Sequence, residues 1–354
     1  MPLRSQKVPW TWQAAFAGAV LSCMMAHAAA AQCAGETRQL VAAGELTAAR
    51  AASETALRAS PASDSLMHCL GVIAYASGDQ GAAAQWFERA IAANDRVSTH
   101  HVWLGRTLAQ QVSTVSKLRL PFVARRMRNE FERAAALDST SVEAHEGLMG
   151  YYLNAPGFFG GSVDKARSEA TAIVRLNAMR GHLDLAAVAL RQHDSTNAER
   201  ELRAAGGAAP PDSAAAVIAL VTFLVEQQRW PEAFDVCTRG MQSFPSIAAL
   251  RLLYGRAAAL SGQNLERGEH ELTRWMSDGA KEAPASTRAA AHVRLGAIYQ
   301  LQGRIEAARA EYESALSLVR GYPEAVRALR SLPIEESYPN AREHHDQTSG
   351  GSAA

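Results

Sequence analysis

The chain repeats itself, and that repetition limits its fold more than any other feature. Leu70-Gly71-Val72-Ile73-Ala74-Tyr75 is followed by Gly78, by Ala83 and Ala84, and then by Phe87 and Ala90. Trp103-Leu104-Gly105 brings the same start back 34 residues later. Val293-Arg294-Leu295-Gly296-Ala297-Ile298-Tyr299, followed by Gly303, Ala308, Tyr312 and Ala315, repeats it again. Each block holds two helical patterns separated by a turn. Small residues fall where the helices touch, and a large one falls where the space needs filling. A single helical hairpin cannot bury its apolar side alone, whereas stacked hairpins share a continuous core in which each unit touches only its neighbours. The period therefore restricts the chain to a linear array of helical pairs.

The pattern resembles the tetratricopeptide repeat (TPR), whose period of about 34 residues carries L-G-x2-Y, A-x3-F and a late Pro. Pro61 and Pro245 occupy the late position, and Asp95 replaces it in another unit. The resemblance implies an all-α fold, a right-handed α-solenoid of about eight TPR-like helical hairpins. The units run at about 30–63, 64–97, 98–140, 141–178, 179–213, 214–247, 248–288 and 289–322, with a capping helix from Pro323 to Leu329. Leu70 and Leu104 are expected to fill the space between helices. Gly71, Gly105, Ala84, Ala90 and Ala134 are expected to allow close approach. Trp86, Trp103 and Trp230 read as packing fillers rather than as a ligand cage.

The two ends are different. Met1 to Lys7 carries Arg4 and Lys7 and no acid, an apolar stretch follows from Ala14 to Ala26, and small residues surround His27. That order describes a secretory signal peptide over 1–31, cleaved after Ala28 or Ala31. An uncleaved anchor, or a lipoprotein site at Val20-Leu21-Ser22-Cys23, remains as an alternative. The apolar run is shorter than the ~20 residues of a transmembrane helix. The expectation is a periplasmic or secreted protein with no membrane span after cleavage. The repeats then occupy 32–332. From 333 to 354 the periodicity stops, and Pro339, His344-His345 and Ser349-Gly350-Gly351-Ser352 read as a disordered tail.

Two insertions interrupt the period. The first, near 111–128, adds about ten residues and a basic cluster at Lys117, Arg119, Arg125, Arg126 and Arg128. It could meet an acidic partner or a lipid headgroup. The simpler expectation is a solvated helix face whose charges pair with Glu130 and Glu132. The second, near 154–162, reads Asn154-Ala155-Pro156-Gly157-Phe158-Phe159-Gly160-Gly161-Ser162. Here Pro and Gly stop a helix, Ser162 should cap the next one with Asp164 in its first turn, and Phe158 and Phe159 should pack down.

Little in the sequence points to catalysis. It contains no H-E-x-x-H, G-x-S-x-G, G-x-G-x-x-G, Walker loop or C-x-x-C. No cofactor or metal is expected. His100 is expected at the surface and His101 in the packing. The charge balance, 36 Lys and Arg against 35 Asp and Glu, lacks the basic excess of a dedicated nucleic-acid binder. Cys33, Cys69 and Cys237 remain after cleavage. Cys33 and Cys69 fall on the first helices of adjacent repeats, where axes sit ~8–10 Å apart and bridged Cα atoms need roughly 4.4–6.8 Å. That spacing weighs against a disulfide without forbidding one. Cys237 should be buried.

In TPR proteins the first helix of each repeat lines a concave face that commonly holds a peptide or protein segment. Helix phase puts His68, Tyr75, Arg106, Gln110, His145, Tyr152 and Arg191 on that face, with Ile218, Val225 and Ala297 further on. The expected function is a non-enzymatic, exported scaffold or adaptor that binds another protein or peptide segment in the groove. A periplasmic binding protein for a small apolar or anionic ligand is the alternative. A cryptic enzyme would need titratable groups converging in one pocket.

Overall fold

The structure, a computed structural model, describes residues 33, 35–116, 118–278 and 283–333. The proposed signal peptide and most of the C-terminal tail lie outside the described residues. Seventeen α-helices occur among the described residues, with no strand. They follow one another as α1 (Gly35–Ala42), α2 (Leu46–Ala59), α3 (Asp64–Ala76), α4 (Gln80–Ala93), α5 (Ser98–Gln111), α6 (Leu120–Leu137), α7 (Val142–Asn154), α8 (Val163–Leu176), α9 (Ala178–Arg191), α10 (Ser195–Ala208), α11 (Ala215–Glu226), α12 (Trp230–Ser243), α13 (Ala248–Ser261), α14 (Leu265–Asp278), α15 (Ala285–Leu301), α16 (Ile305–Leu318) and α17 (Pro323–Ser331). A short 3-10 turn, Gly157–Phe159, stands between α7 and α8. In sequence order the helices form eight pairs and a final single helix, as the periodicity predicts. The helices divide into two compact units at Ala257/Ala258. In each, helices pack on elements one or two places away, as an α-solenoid requires.

The repeat contact is a glycine on the first helix facing a ring on the second. A Cβ on Gly71 would lie 2.6 Å from Phe87, one on Gly105 would lie 2.8 Å from Phe131, and one on Gly296 would lie 2.6 Å from Tyr312. The ring follows the glycine by 16 residues in the first and last cases and by 26 in the middle one. The first insertion therefore adds ten residues inside one hairpin. Ala83, Ala90, Ala134, Ala166, Ala198, Ala233, Ala308 and Ala315 are fully buried on second helices, where a larger side chain would force the hairpin apart. Trp103 is fully buried, while Trp86 and Trp230 are half-buried. Cys237 is buried, and its thiol donates to the Leu250 carbonyl at 3.1 Å.

Five of the turns within hairpins place one residue at positive φ two positions before the second helix. Gly44, Gly78 and Gly303 take it at φ 78°, 80° and 76°. His193 and Gln228 occupy the same place at φ 60° and 57°, where a Cβ is disfavoured. A second recurring feature is polar. His101, His145, His182 and His292 on first helices each hydrogen-bond through Nδ1 to a glutamate of their own second helix. The partners are Glu130, Glu169, Glu201 and Glu311, at 2.7, 2.7, 2.8 and 2.6 Å.

The Cys33–Cys69 pair is a disulfide, with Cα atoms 5.2 Å apart. The expectation from helix spacing failed because Cys33 is not on a helix. It sits in the bend before α1, so the interaxial distance does not limit it.

Candidate functional site

The first insertion reaches the structure as an extra helical turn. α6 has 18 residues, where most second helices have 14. Pro121 sits at its start, where a missing N–H costs nothing. Leu120, Ala124, Met127 and Phe131 recur at helical spacing and form one stripe. This stripe is one wall of a cavity of about 720 Å³. The opposite walls are Ala109 and Val112 at the end of α5, Gly147, Gly150 and Tyr151 on α7, and Ala155, Pro156 and Phe159 of the second insertion. Both insertions therefore build the same hollow.

The second insertion is held by its own backbone. Gly160, at φ 92°, donates to the Gly157 carbonyl at 2.9 Å, and Gly161 donates to Pro156 at 3.1 Å. Ser162 N–H reaches back to the Tyr152 carbonyl at 2.8 Å, and the Tyr151 hydroxyl donates to the Phe159 carbonyl at 2.5 Å. As expected, the Ser162 hydroxyl caps α8, accepting from the Lys165 N–H at 3.3 Å, with Asp164 in the first turn. The turn differs from expectation at Phe158, which is 83% exposed while Phe159 is half-buried. The tight backbone aims only one of two consecutive side chains inward. The basic cluster behaves as a paired helix face in part. Arg126 meets Glu88 at 2.7 Å and Glu130 at 3.9 Å, and Arg128 meets Glu132 at 3.4 Å.

One end of the cavity is polar. Tyr75, Arg106, Gln110, Glu143 and Glu146 line it. Tyr75 stands edge-on to Trp103 and accepts a hydrogen bond from Gln110. Burial pushes its hydroxyl pKa up. The two glutamates are held by Arg180 of α9, which donates to Glu146 at 2.7 and 2.5 Å and to Glu143 at 2.8 Å. Burial alone would raise the Glu143 pKa, but the Arg180 hydrogen bond and the Arg180 and Arg106 charges hold it below the ordinary value. Asp184, one turn after Arg180, is pushed up to about 7, first by burial and then by Glu146. The Arg106 guanidinium lies over the Trp103 ring at 5.5 Å and makes no hydrogen bond or ion pair among the described residues. Its donors are available at the mouth of a largely apolar hollow.

Of the seven residues assigned to the groove, Tyr75, Arg106 and Gln110 line this cavity. His68 does not, because it is only 3% exposed, packed among Phe87, His100 and Trp103. Its Nδ1 is 2.9 Å from Nδ1 of His100, and burial followed by the His100 charge lowers its pKa to about 3. His100 was expected at the surface. It is buried instead, 3.4 Å from Asp64, because the stacked first helices leave no solvent between them there. His145 is held by Glu169 and by the Ser139 carbonyl, Tyr152 lies beneath Lys165 with its hydroxyl on Glu132, and Arg191 is exposed at the end of α9. None of these three lines the cavity. Val225 is also core rather than groove. The residues missed from sequence are Glu143, Glu146 and the stripe from Leu120 to Phe131. The four-three-four spacing of that stripe was a readable signal. The pairing of the glutamates with Arg180 was not, since it joins adjacent repeats.

Among the described residues no group of three or more His, Cys, Asp or Glu side chains is arranged to hold a metal ion. No helix there is long and apolar enough to cross a membrane.

Family comparison agrees with this geometry. Tetratricopeptide-repeat models match residues 38–98, 183–246 and 289–319, leaving the stretch with both insertions between matches. No curated protein matches the sequence significantly. Among solved structures, yeast Tom70 superposes with a TM-score of 0.63 at 14% identity, covering 93% of this chain and 65% of its own. Cut9 with Hcn1 gives 0.50 at 14% identity, covering 80% of this chain and 52% of that one. The chain thus spans less than two thirds of either neighbour, and at such identity the likeness is one of fold. With eight helical hairpins in sequence, the glycine-to-ring contact and three family matches, the chain belongs to the tetratricopeptide-repeat proteins.

Proposed function

We propose that the chain is an exported, non-enzymatic scaffold that anchors a segment of another protein in the cavity between α5, α6, α7 and the Pro156–Phe159 turn. The observation that carries this reading is the cavity itself. It has apolar walls, a volume of about 720 Å³, and the uncommitted donors of Arg106 at its polar end. A segment presenting apolar side chains with an acidic group beside them fits that arrangement. The apolar groups supply affinity and the charge sets register. TPR arrays are built to offer extended binding surfaces. The disulfide supports export, since such bonds persist in oxidising compartments.

The test uses Gly150. A Cβ there would meet nothing within 4 Å, so Gly150→Leu adds its bulk at the cavity wall from a Cβ that clashes with no neighbour. The chain is purified from its native cell after mild crosslinking, and proteins and small molecules are analysed together. The expected result is a stoichiometric protein partner, lost in Gly150→Leu and weakened in Arg106→Ala. A co-purifying lipid or metabolite without a protein partner would replace this reading with that of a small-ligand binding protein. The cavity volume is the observation favouring that second reading, because it falls in the range of small-molecule sites.

A further inference from the structure

Leu118, Phe122 and Phe158 are the most exposed large apolar side chains among the described residues, at 86%, 76% and 83%. All three belong to the two insertions. Phe122 and Phe158 flank one shallow hollow, with Arg125 and Arg128 beside them. Taken together, the two insertions contain Lys and Arg but no Asp or Glu. Between Asp95 and Glu130 the sequence has Arg96, Arg106, Lys117, Arg119, Arg125, Arg126 and Arg128 and no acid, and between Glu146 and Asp164 it has no Asp, Glu, Lys or Arg. Arg126 and Arg128 are engaged by glutamates. Arg119 and Arg125 are exposed and make no ion pair among the described residues.

We propose that this face docks on the surface of an anionic lipid bilayer. Aromatic and aliphatic tips enter the headgroup boundary, while the arginines meet the lipid phosphates. Side chains this exposed protrude. A bilayer accepts protruding apolar groups at any spacing, whereas a protein partner needs a matching recess for each. Arg119 and Arg125, exposed and without an ion pair among the described residues, supply the charge complementarity. This face and the cavity are separate proposals, and either can fail without the other.

The experiment is co-sedimentation of the chain from Gln32 onward, which keeps every described helix, with vesicles of phosphatidylethanolamine and phosphatidylglycerol. Vesicles of phosphatidylcholine alone serve as the comparison. Binding to the anionic vesicles only, weakened by salt, is expected. Arg119→Ala with Arg125→Ala should lower affinity roughly 25-fold, at about fivefold per cation. Phe122→Ser with Phe158→Ser should lower it by roughly tenfold or more. All four side chains are exposed, so the variants should keep the wild-type circular dichroism spectrum. The proposal is overturned by no binding to anionic vesicles, by equal binding to phosphatidylcholine, or by variants that bind like the wild type. An acidic protein held through the same four residues, with no vesicle binding, would also overturn it.

Discussion

Reducing the Cys33–Cys69 disulfide should release the N-terminal end of the array and leave the rest in place. The bond closes a loop with a sequence separation of 36 residues. By chain entropy, a loop of that size is worth about 4 kcal/mol. The segment it secures has little else to hold it. α1 has eight residues, below the ~12–15 at which an isolated helix becomes marginally stable, and Val41 is its only fully buried apolar side chain. Nearest-neighbour packing then predicts a local effect. Amide hydrogen exchange, followed by mass spectrometry with and without reductant, tests this. Protection of α1 should fall by up to roughly a thousand-fold, or to unfolded-chain rates, with a smaller loss in α2 and none beyond α5. Cys33→Ala should reproduce the effect without reductant. Unchanged protection in α1, or an equal loss along the whole chain, would refute the argument that the bond acts as a local staple.

Four further outcomes follow from single side chains. Gly147→Ala should destabilise by about 1–3 kcal/mol in urea unfolding, because its Cβ would lie 2.3 Å from the Phe131 ring. Gln228→Gly should raise stability by about 1 kcal/mol by relieving a left-handed backbone, and a loss on urea titration would contradict that. Asp184 is raised from 3.8 to about 7, so the folded state holds its proton where the unfolded chain has lost it. Its contribution is full below pH 3.8 and falls as pH rises through about 7, and Asp184→Asn should flatten urea midpoints measured over that window. Arg106→Ala should leave the thermal midpoint nearly unchanged, since this guanidinium makes no hydrogen bond within the described fold. A large fall would show that it is structural.

The array itself was legible in the sequence. Gly71, Gly105 and Gly296 with their later rings, the buried alanines and the turn glycines are local and periodic, so residue spacing alone locates the hairpins. The Ser162 cap and the pairing of Arg126 with Glu130 were equally readable, because each partner lies within four residues. The errors at the two buried histidines share one cause. His68 and His100 belong to helices of different repeats, and whether their face meets solvent or another helix depends on how closely the hairpins stack. The same holds for Arg180 on Glu143 and Glu146.

The sequence by itself determined that the chain would be paired helices, where each pair would turn, and where the period would be broken, because helix formation and hairpin packing depend on contacts close along the chain. Only the tertiary structure decided what the breaks build. It brought the Leu120–Phe131 stripe and the Pro156–Phe159 turn to one cavity, left Phe122 and Phe158 outside it, and closed Cys33 on Cys69. Those outcomes depend on distances between segments some 30 residues apart, and such distances are set by the stacking of whole hairpins rather than by the order of neighbouring residues.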